Sequence, residues 1–252
     1  MKNKIFSIIL AFLLTCFSMT TYAADKLPVL MYHNVTHDIS LAHTSPDVHI
    51  TPQTLEEHFA YLKSAGYNTI SANEYLSYRQ NGTPLPENPV IITFDDGYIS
   101  NYEIAYPLLK KYNFKAVIFV IASRMGASNV EFPHFSWEEA REMEQSGLVE
   151  IESHSYTHPD FSTLTYAQTV VEMRLARYAI EMNLNKKCRF FAYPYGKMNF
   201  SSTDVAKAAG YNIVFVGREK NADLANENLY ELPRHIAKGT HTGEDIINMI
   251  KN

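Results

Sequence analysis

Residues 90–98 read VIITFDDGY, an apolar run that ends abruptly in two aspartates. Five apolar or β-branched residues in succession are typical of a strand buried on both faces of a parallel sheet. Asp95 and Asp96 repel each other, so a site that keeps both ionised normally needs a cation or strong donors nearby. Because Asp-Gly is also a common turn pair, a solvated turn at Asp96 and Gly97 is the alternative interpretation.

Further short apolar runs end in polar or glycine-containing loops and are followed by amphipathic stretches. The predicted strands are residues 29–32, 69–70, 90–94, 116–121, 149–152, 190–193 and 213–216, and the predicted helices are residues 55–65, 102–112, 137–145, 166–182 and 203–209. Thr51-Pro52 and Ser136 look like helix starts, with a hydroxyl to cap the first turn. Alternating strands and helices indicate an α/β domain with a largely parallel sheet, either closed as a barrel or open. In a barrel, function is expected at the carboxyl ends of the strands.

A second polar motif follows the predicted strand at residues 149–152, where residues 153–158 read SHSYTH. His154 and His158 are four positions apart, on one side of a helical turn, so they can share a metal ion. That spacing is a weak signal by itself, because the chain has 10 histidines. Both motifs stand at predicted strand ends of one parallel sheet, which favours their meeting in space.

A carboxylate and two imidazoles leave open positions on a divalent metal, where water is acidified and a carbonyl oxygen is polarised. Only one of the two aspartates is needed as a ligand, so the other is free to accept a proton. Asp96 as ligand and Asp95 as base is the preferred division, although spacing alone leaves the reverse open. Non-heme iron oxygenases use the same ligand set, but they usually present it on an antiparallel fold.

Three other groups at strand ends or near the end of the chain could complete a hydrolytic site. His33 could protonate a leaving amine, or it could be a structural histidine bonded to the backbone. Tyr193, Pro194 and Tyr195 combine aromatic rings with a sharp turn, which suits sugar stacking and a backbone donor for an oxyanion. The alternative is an ordinary turn with tyrosine in the core. Arg234 is a charged donor if it points inward and a surface ion pair otherwise.

The charge and the missing motifs exclude several classes of protein. Residues 1–23 hold two lysines and no acidic residue, so removing them takes the formal net charge from −5 to −7. A nucleic-acid partner requires the opposite sign. The sequence has no Gly-rich phosphate loop, no G-x-S-x-G elbow and no H-E-x-x-H, which argues against a nucleotide cofactor and against serine chemistry.

Residues 1–23 have the pattern of a secretory signal peptide, with two lysines, an apolar run that ends at Cys16, and small residues before a cut after Ala23. The run is shorter than the roughly 18 residues that a membrane-spanning helix needs. We therefore expect a secreted or periplasmic protein without a lipid anchor. One domain is expected over residues 24–252, and its core must stabilise it without a disulfide because Cys188 is then the only cysteine.

Taken together, the motifs resemble those of the polysaccharide deacetylases of carbohydrate esterase family four, whose catalytic unit is the NodB-homology domain. Residues 93–98 (TFDDGY) are similar to the first motif of that family and residues 153–158 to the second. The segment 135–151 is similar to the stretch that usually precedes the histidines. Residues 30–33 (LMYH) are similar to the branch of poly-β-1,6-N-acetyl-D-glucosamine deacetylases, which act on biofilm polysaccharide and have a circularly permuted motif order.

This resemblance implies a distorted (β/α)7 barrel in which Asp95 is the base and His33 the catalytic acid. It also implies that Asp96, His154 and His158 bind zinc, with cobalt or nickel as alternatives. The implied activity is removal of N-acetyl groups from a polysaccharide or oligosaccharide that contains N-acetylglucosamine. We also expect the protein to be a monomer.

The sequence departs from the family at one position. Residues 194–196 (PYG) match the third motif, but Ala192 stands where the family has an arginine. We expect Arg234 to orient Asp95 in its place, with Arg189 as the second candidate. Two alternatives on the same fold are an O-acetyl esterase of the xylan type and a glycan-binding module without turnover. The retention of Asp95, which binding alone does not require, weighs against the binding module.

Overall fold

The computed structural model describes residues 26–251, so the predicted signal peptide lies outside the described residues. The strands are β1 (Lys26–Leu27), β2 (Val29–Tyr32), β3 (Asn34–Val35), β4 (His49–Ile50), β5 (Asn68–Thr69), β6 (Pro89–Phe94), β7 (Ala116–Val120), β8 (Val149–Ser153), β9 (Phe190–Ala192), β10 (Ile213–Val216), β11 (Ala222–Asp223), β12 (Leu232–Pro233) and β13 (His235–Ile236). The α-helices are α1 (Ile39–Thr44), α2 (Pro52–Ser64), α3 (Ala72–Asn81), α4 (Tyr106–Tyr112), α5 (Trp137–Gln145), α6 (Tyr166–Leu184), α7 (Ser202–Ala209) and α8 (Gly243–Lys251). Within this part of the chain, no helix combines the length and the apolar character needed to cross a bilayer.

The main sheet is a nearly closed parallel barrel. Its strands pair in the order β12, β10, β9, β8, β7, β6, β2 and β13, and every one of these pairs is parallel. β12 and β13 stand at opposite ends of this order, although only Arg234 separates them along the chain. The chain therefore crosses from one edge of the sheet to the other at Arg234. Counting β12 and β13 as one strand position gives seven, which confirms the (β/α)7 barrel.

Strand β6 shows why these segments are buried on both faces. Successive side chains of a strand point to opposite sides of the sheet. Ile91 belongs to a cluster with Val117 and Phe215 that fills the barrel. Its neighbours Val90 and Ile92 instead belong to the larger cluster between the sheet and the helices. A continuous apolar run is therefore the pattern that a barrel strand requires.

Most predicted elements are confirmed, with shifts at their ends. The strands at residues 29–32 and 213–216 and helix α5 have the predicted bounds, and Thr51 and Ser136 cap α2 and α5 through their side chains. Helix α2 begins at Pro52 rather than at residue 55, because the capping hydroxyl and the proline together start the first turn. The predicted strand at residues 69–70 is observed one residue earlier.

Several elements were missed because their sequences lack the expected periodicity. Helix α3 has a capping box between Ser71 and Glu74 and is capped at its carboxyl end by Gly82 in the left-handed region, but few of its residues are apolar. Strands β12 and β13 are two residues each, and the charged Arg234 interrupts the apolar pattern between them. Neither strand is long enough to show alternation.

Candidate metal and catalytic site

The carboxyl ends of the barrel strands bring the two sequence motifs together in one cavity. Asp95 and Asp96 follow β6, and His154 follows β8 directly. The cavity has a volume of about 570 Å³. The predicted site residues in its wall are His33, Asp95, Asp96, His154, His158, Tyr193, Tyr195 and Arg234.

Asp96, His154 and His158 form the arrangement expected of a metal site. Asp96 Oδ1 lies 3.3 Å from His158 Nε2 and 3.6 Å from His154 Nε2, and one ligand atom from each residue lies within 4.8 Å of the others. Tetrahedral zinc with bonds of about 2.0–2.2 Å separates neighbouring ligand atoms by about 3.3–3.6 Å. Asp96 Oδ1 is buried and accepts no hydrogen bond, so a cation is the partner that it lacks. The residues therefore fit a divalent metal.

Local backbone geometry aims the ligands into the cavity. The φ angles of Asp96 and His158 are +74° and +63°, in the left-handed region that residues with a side chain rarely adopt, and such strain clusters at functional sites. The Nδ1–H group of His154 donates to the carbonyl oxygen of Ala192 at 2.8 Å. This bond leaves Nε2 of His154 free to face a metal, as second hydrogen bonds of ligating histidines commonly do.

Asp95 is held by Arg234 through two parallel hydrogen bonds. Nη1 donates to Oδ1 and Nη2 donates to Oδ2, each at 2.7 Å, and the side chain of Arg234 is 1% exposed. Burial, the largest single effect, would raise the pKa of Asp95, but the charge and hydrogen bonds of Arg234, together with the nearby His154 and His33, hold the pKa below its ordinary value. The structure thus places Arg234 against Asp95, whereas Arg189 is exposed immediately before β9.

His33 is half-buried in the cavity wall, and its Nδ1 has no hydrogen-bond partner. Its carbonyl oxygen accepts a hydrogen bond from Nδ2 of Asn101 at 2.8 Å, which fixes the backbone that carries the ring. The sequence interpretation missed Asn101. It lies one position before the predicted helix at residues 102–112, where a single asparagine carries no distinguishing signal.

The aromatic part of the predicted site is divided between the core and the cavity rim. Tyr193 is 1% exposed and packs edge-on against Phe161 and Phe191, so its ring cannot stack on a sugar as predicted. Pro194 is buried beside it. Tyr195 is 65% exposed, has a φ of +58°, and places its ring 4.7 Å from that of His158. Of the two tyrosines, Tyr195 is the one whose ring a ligand could reach.

Comparison with known proteins gives one consistent answer. The profile of the family described as "Polysaccharide deacetylase" matches residues 82–214. The protein YxkH of Bacillus subtilis (strain 168), assigned to the polysaccharide deacetylases, is 34% identical over 210 residues, covering 83% of this chain and 70% of that protein. The poly-beta-1,6-N-acetyl-D-glucosamine N-deacetylase of Staphylococcus aureus (strain MRSA252) is 31% identical over 194 residues, covering 73% of this chain and 66% of that protein.

The fold is also shared with a solved structure. The Streptococcus pyogenes deacetylase PplD, in complex with acetate, superposes with a TM-score of 0.81 at 26% identity, covering 90% of this chain and 99% of that one. The fold and the site define a hydrolase of the deacetylase class. The chain belongs to the polysaccharide deacetylase family, which confirms the resemblance seen in its motifs. Members of this family generally depend on a divalent metal, and Asp96, His154 and His158 form a group that could hold one.

Proposed function

We propose that the protein removes N-acetyl groups from a polysaccharide or oligosaccharide that contains N-acetylglucosamine, with a divalent metal, preferably zinc, held by Asp96, His154 and His158. The observation that carries the proposal is the carboxylate of Asp95, fixed by Arg234 and placed with its Oδ2 atom 3.8 Å from His154 Nε2. A binding site has no need of a second, oriented carboxylate beside the ligands. The S. aureus relative, whose name gives an N-deacetylase, supports the substrate class.

Asp95 is the proposed base. A divalent ion, when bound, supplies an electrophile that acidifies water and polarises an acetyl carbonyl. Asp95 accepts the proton of the attacking water, and it is ionised for that role because Arg234, with His154 and His33, keeps its pKa below the ordinary value although burial would raise it. The paired hydrogen bonds from Arg234 also fix the direction in which the carboxylate points.

His33 and Tyr195 act on the substrate in this proposal. An amide does not expel its nitrogen unless the nitrogen is protonated, and the half-buried ring of His33 stands in the cavity wall, where it can deliver that proton. The exposed ring of Tyr195 offers a face for the sugar at the rim. Its backbone N–H, in the sharp turn at residues 194–196, is the proposed donor to the oxyanion.

We further propose that the protein acts outside the cytoplasm as a monomer. The support for the location is the signal-peptide pattern of residues 1–23. Loss of acetyl groups turns a neutral glycan into a polycation, and the acidic balance of the chain would attract such a product.

The proposal is tested by measuring acetate release from three polymers: poly-β-1,6-N-acetyl-D-glucosamine, peptidoglycan and acetylxylan. Each is assayed with the metal-loaded protein, with a chelator, and after zinc is restored. We expect release from an N-acetylated polymer that stops with chelator and returns with zinc. Release from acetylxylan alone would replace the N-acetyl substrate with an O-acetyl one, and release from none would overturn the enzymatic proposal.

A further inference from the structure

His33 lies at a junction in the backbone. Strand β2 of the barrel ends at Tyr32, and β3, which pairs with β4 in a separate two-stranded sheet, begins at Asn34. The N–H of Asp95 donates to the carbonyl oxygen of Tyr32 at 2.9 Å, and the N–H of Asn34 donates to that of Val48 at 2.9 Å. His33 belongs to neither strand. The position of its ring therefore depends on contacts outside the two sheets.

Two side chains that follow the first motif hold this junction. Nδ2 of Asn101 donates to the carbonyl oxygen of His33 at 2.8 Å. The hydroxyl of Ser100 donates to Oδ1 of Asn34 at 2.7 Å and accepts from the N–H of Val35 at 3.0 Å. Two consecutive residues thereby bind three consecutive residues of the junction. We call these contacts of Ser100 and Asn101 the junction clamp.

The junction clamp is buried, so water does not compete for its hydrogen bonds. Asn34 and Ser100 are buried, and Asn101 is 0% exposed. Among the described residues, Oδ1 of Asn101 has no hydrogen-bond partner, so the useful contact of this amide is the one that it makes with His33. A buried polar group that is left partly unsatisfied costs stability. That cost favours a role for Asn101 in function over a role in packing.

The backbone that carries Asn101 has an uncommon form. Asn101–Ala105 make a single π-helical turn directly before α4, and the N–H of Tyr106 donates to the carbonyl oxygen of Asn101. Turns of this kind are rare and occur frequently at functional sites. The turn follows the motif that contains Asp95. The segment that carries the proposed base therefore also holds the backbone of the proposed acid.

The ring of His33 lacks a second anchor. Its Nδ1 atom is buried and has no hydrogen-bond partner among the described residues. Functional histidines are commonly oriented by a hydrogen bond at the ring nitrogen that faces away from the reaction. Without such a bond, the direction of the ring depends on the backbone from which it projects. The junction clamp fixes that backbone through the carbonyl oxygen of His33.

We propose that Asn101, supported by Ser100, is a positioning residue for His33 in the protonation of the leaving nitrogen. This inference rests on the proposed function, in which His33 is the acid. Asn101 acts through the backbone of His33 and, being fully buried, does not touch the substrate. A displacement of about 1 Å at a reacting group can cost about 10²-fold in rate. Loss of the junction clamp should therefore slow the step that needs the proton and leave other steps nearly unchanged.

The test compares an amide with an activated ester. Asn101→Leu keeps the branching of the side chain and removes its hydrogen bond to His33. Deacetylation of an N-acetylglucosamine oligomer should fall about 10–100-fold. Hydrolysis of p-nitrophenyl acetate, whose phenolate leaves without a proton, should fall by about twofold or less. In the His33→Ala background, Asn101→Leu should cost the amide reaction about twofold or less, because the acid that it positions is already gone.

Asn183→Leu is the matched control, because Nδ2 of Asn183 also donates to a backbone carbonyl at 2.8 Å, on the exposed side of α6. Both rates should be kept in that variant. A loss in Asn101→Leu that is equal on amide and ester, or that persists in full in the His33→Ala background, overturns the positioning role. If Asn101→Leu fails to fold, Ser100→Ala is judged by the same two criteria.

A second measurement does not depend on activity. The NMR signals of the His33 ring, identified by their absence in His33→Ala, should shift or broaden in Asn101→Leu and stay unchanged in Asn183→Leu. Unchanged His33 signals in Asn101→Leu overturn the inference and leave the proposed function standing. Absence of acetate release from the unsubstituted protein overturns the proposed function, and the NMR signals then decide whether the junction clamp positions His33.

Discussion

Arg234 binds both carboxylate oxygens of Asp95, with Nη1–Oδ1 and Nη2–Oδ2 distances of 2.7 Å. Arg234 is also the single residue between β12 and β13, where the chain crosses from one edge of the barrel sheet to the other. The residue at the closure of the barrel therefore orients the proposed base. The pair of hydrogen bonds between Arg234 and Asp95 therefore links the closure of the barrel sheet to the placement of Asp95.

Replacing Arg234 by lysine should separate the effect of Arg234 on the orientation of Asp95 from the effect of its positive charge. Lysine keeps the positive charge but cannot donate two parallel hydrogen bonds to one carboxylate. We expect kcat/KM to fall about 10–100-fold, as when other residues that orient a functional side chain by hydrogen bonds are replaced. The zinc content should be unchanged. Acetate release and metal analysis of Arg234→Lys provide the measurement. Arg189→Lys, at an exposed position, is the control, and a wild-type rate in Arg234→Lys would count against the orienting role.

Arg234→Ala should act on stability as well. The pair is buried, and removing one partner leaves an uncompensated charge on Asp95 at a cost of about 3–5 kcal/mol. Urea unfolding should therefore show a loss of that order, and Asp95→Asn combined with Arg234→Ala should recover part of it. No recovery in the double variant would mean that packing of Arg234, rather than the stranded charge, dominates.

The adjacent aspartates offer a matched pair of substitutions. Asp95→Asn should retain the metal, because Asp95 is not in the ligand group, and should lose about 10²–10⁴-fold in rate, because the base is gone. Asp96→Asn should lose the metal, because its Oδ1 atom lies against both histidines. Metal content after dialysis and acetate release in excess zinc distinguish the two. The opposite pattern would exchange the roles of the two residues.

The sequence predicted the parts of the site that follow long strands. VIITF at residues 90–94 marks β6 by composition alone, and parallel strands necessarily bring their carboxyl ends to one edge. The strand pattern alone therefore predicts that Asp96 and His154 lie close together. The distances between the ligand atoms also depend on the left-handed backbone at Asp96 and His158. No periodicity in the sequence indicates that conformation.

Other parts of the site depend on contacts that no local pattern records. Tyr193 and Tyr195 are the same residue type two positions apart, but Tyr193 is buried after β9 and Tyr195 is exposed in a turn. Arg234 was predicted to be a partner of Asp95 only because Ala192 replaces the arginine that the family has at that position.

Removal of the His33 ring should affect amides more than activated esters. In His33→Ala, deacetylation of an N-acetylglucosamine oligomer should fall by about 10²–10⁴-fold, because no group protonates the departing nitrogen. Hydrolysis of p-nitrophenyl acetate should fall far less, because a phenolate leaves without a proton. The ratio of the two rates is the readout, and His37→Ala, at an exposed position, is the control. An equal loss on both substrates would assign His33 to a step other than leaving-group protonation.

His58 should make the fold sensitive to mild acid. It is 0% exposed, its Nε2–H donates to the carbonyl oxygen of His241 at 2.8 Å, and its Nδ1 accepts from the Tyr32 hydroxyl at 3.2 Å. Burial is the main cause that lowers its pKa to about 4. As pH falls below the ordinary value of about 6.5, the unfolded chain takes up a proton that folded His58 refuses, so stability falls by about 1.4 kcal/mol per pH unit until about pH 4.

Between pH 7 and pH 5 this group should therefore lower the free energy of unfolding by about 2 kcal/mol. In His58→Gln, which can keep a donor to the carbonyl of His241 but does not titrate, the difference between urea unfolding at the two pH values should shrink by that amount. His43→Gln, at an exposed position, should leave the difference as it is in the unsubstituted protein. If His58→Gln and His43→Gln show the same pH dependence, another buried group sets the acid sensitivity of the barrel.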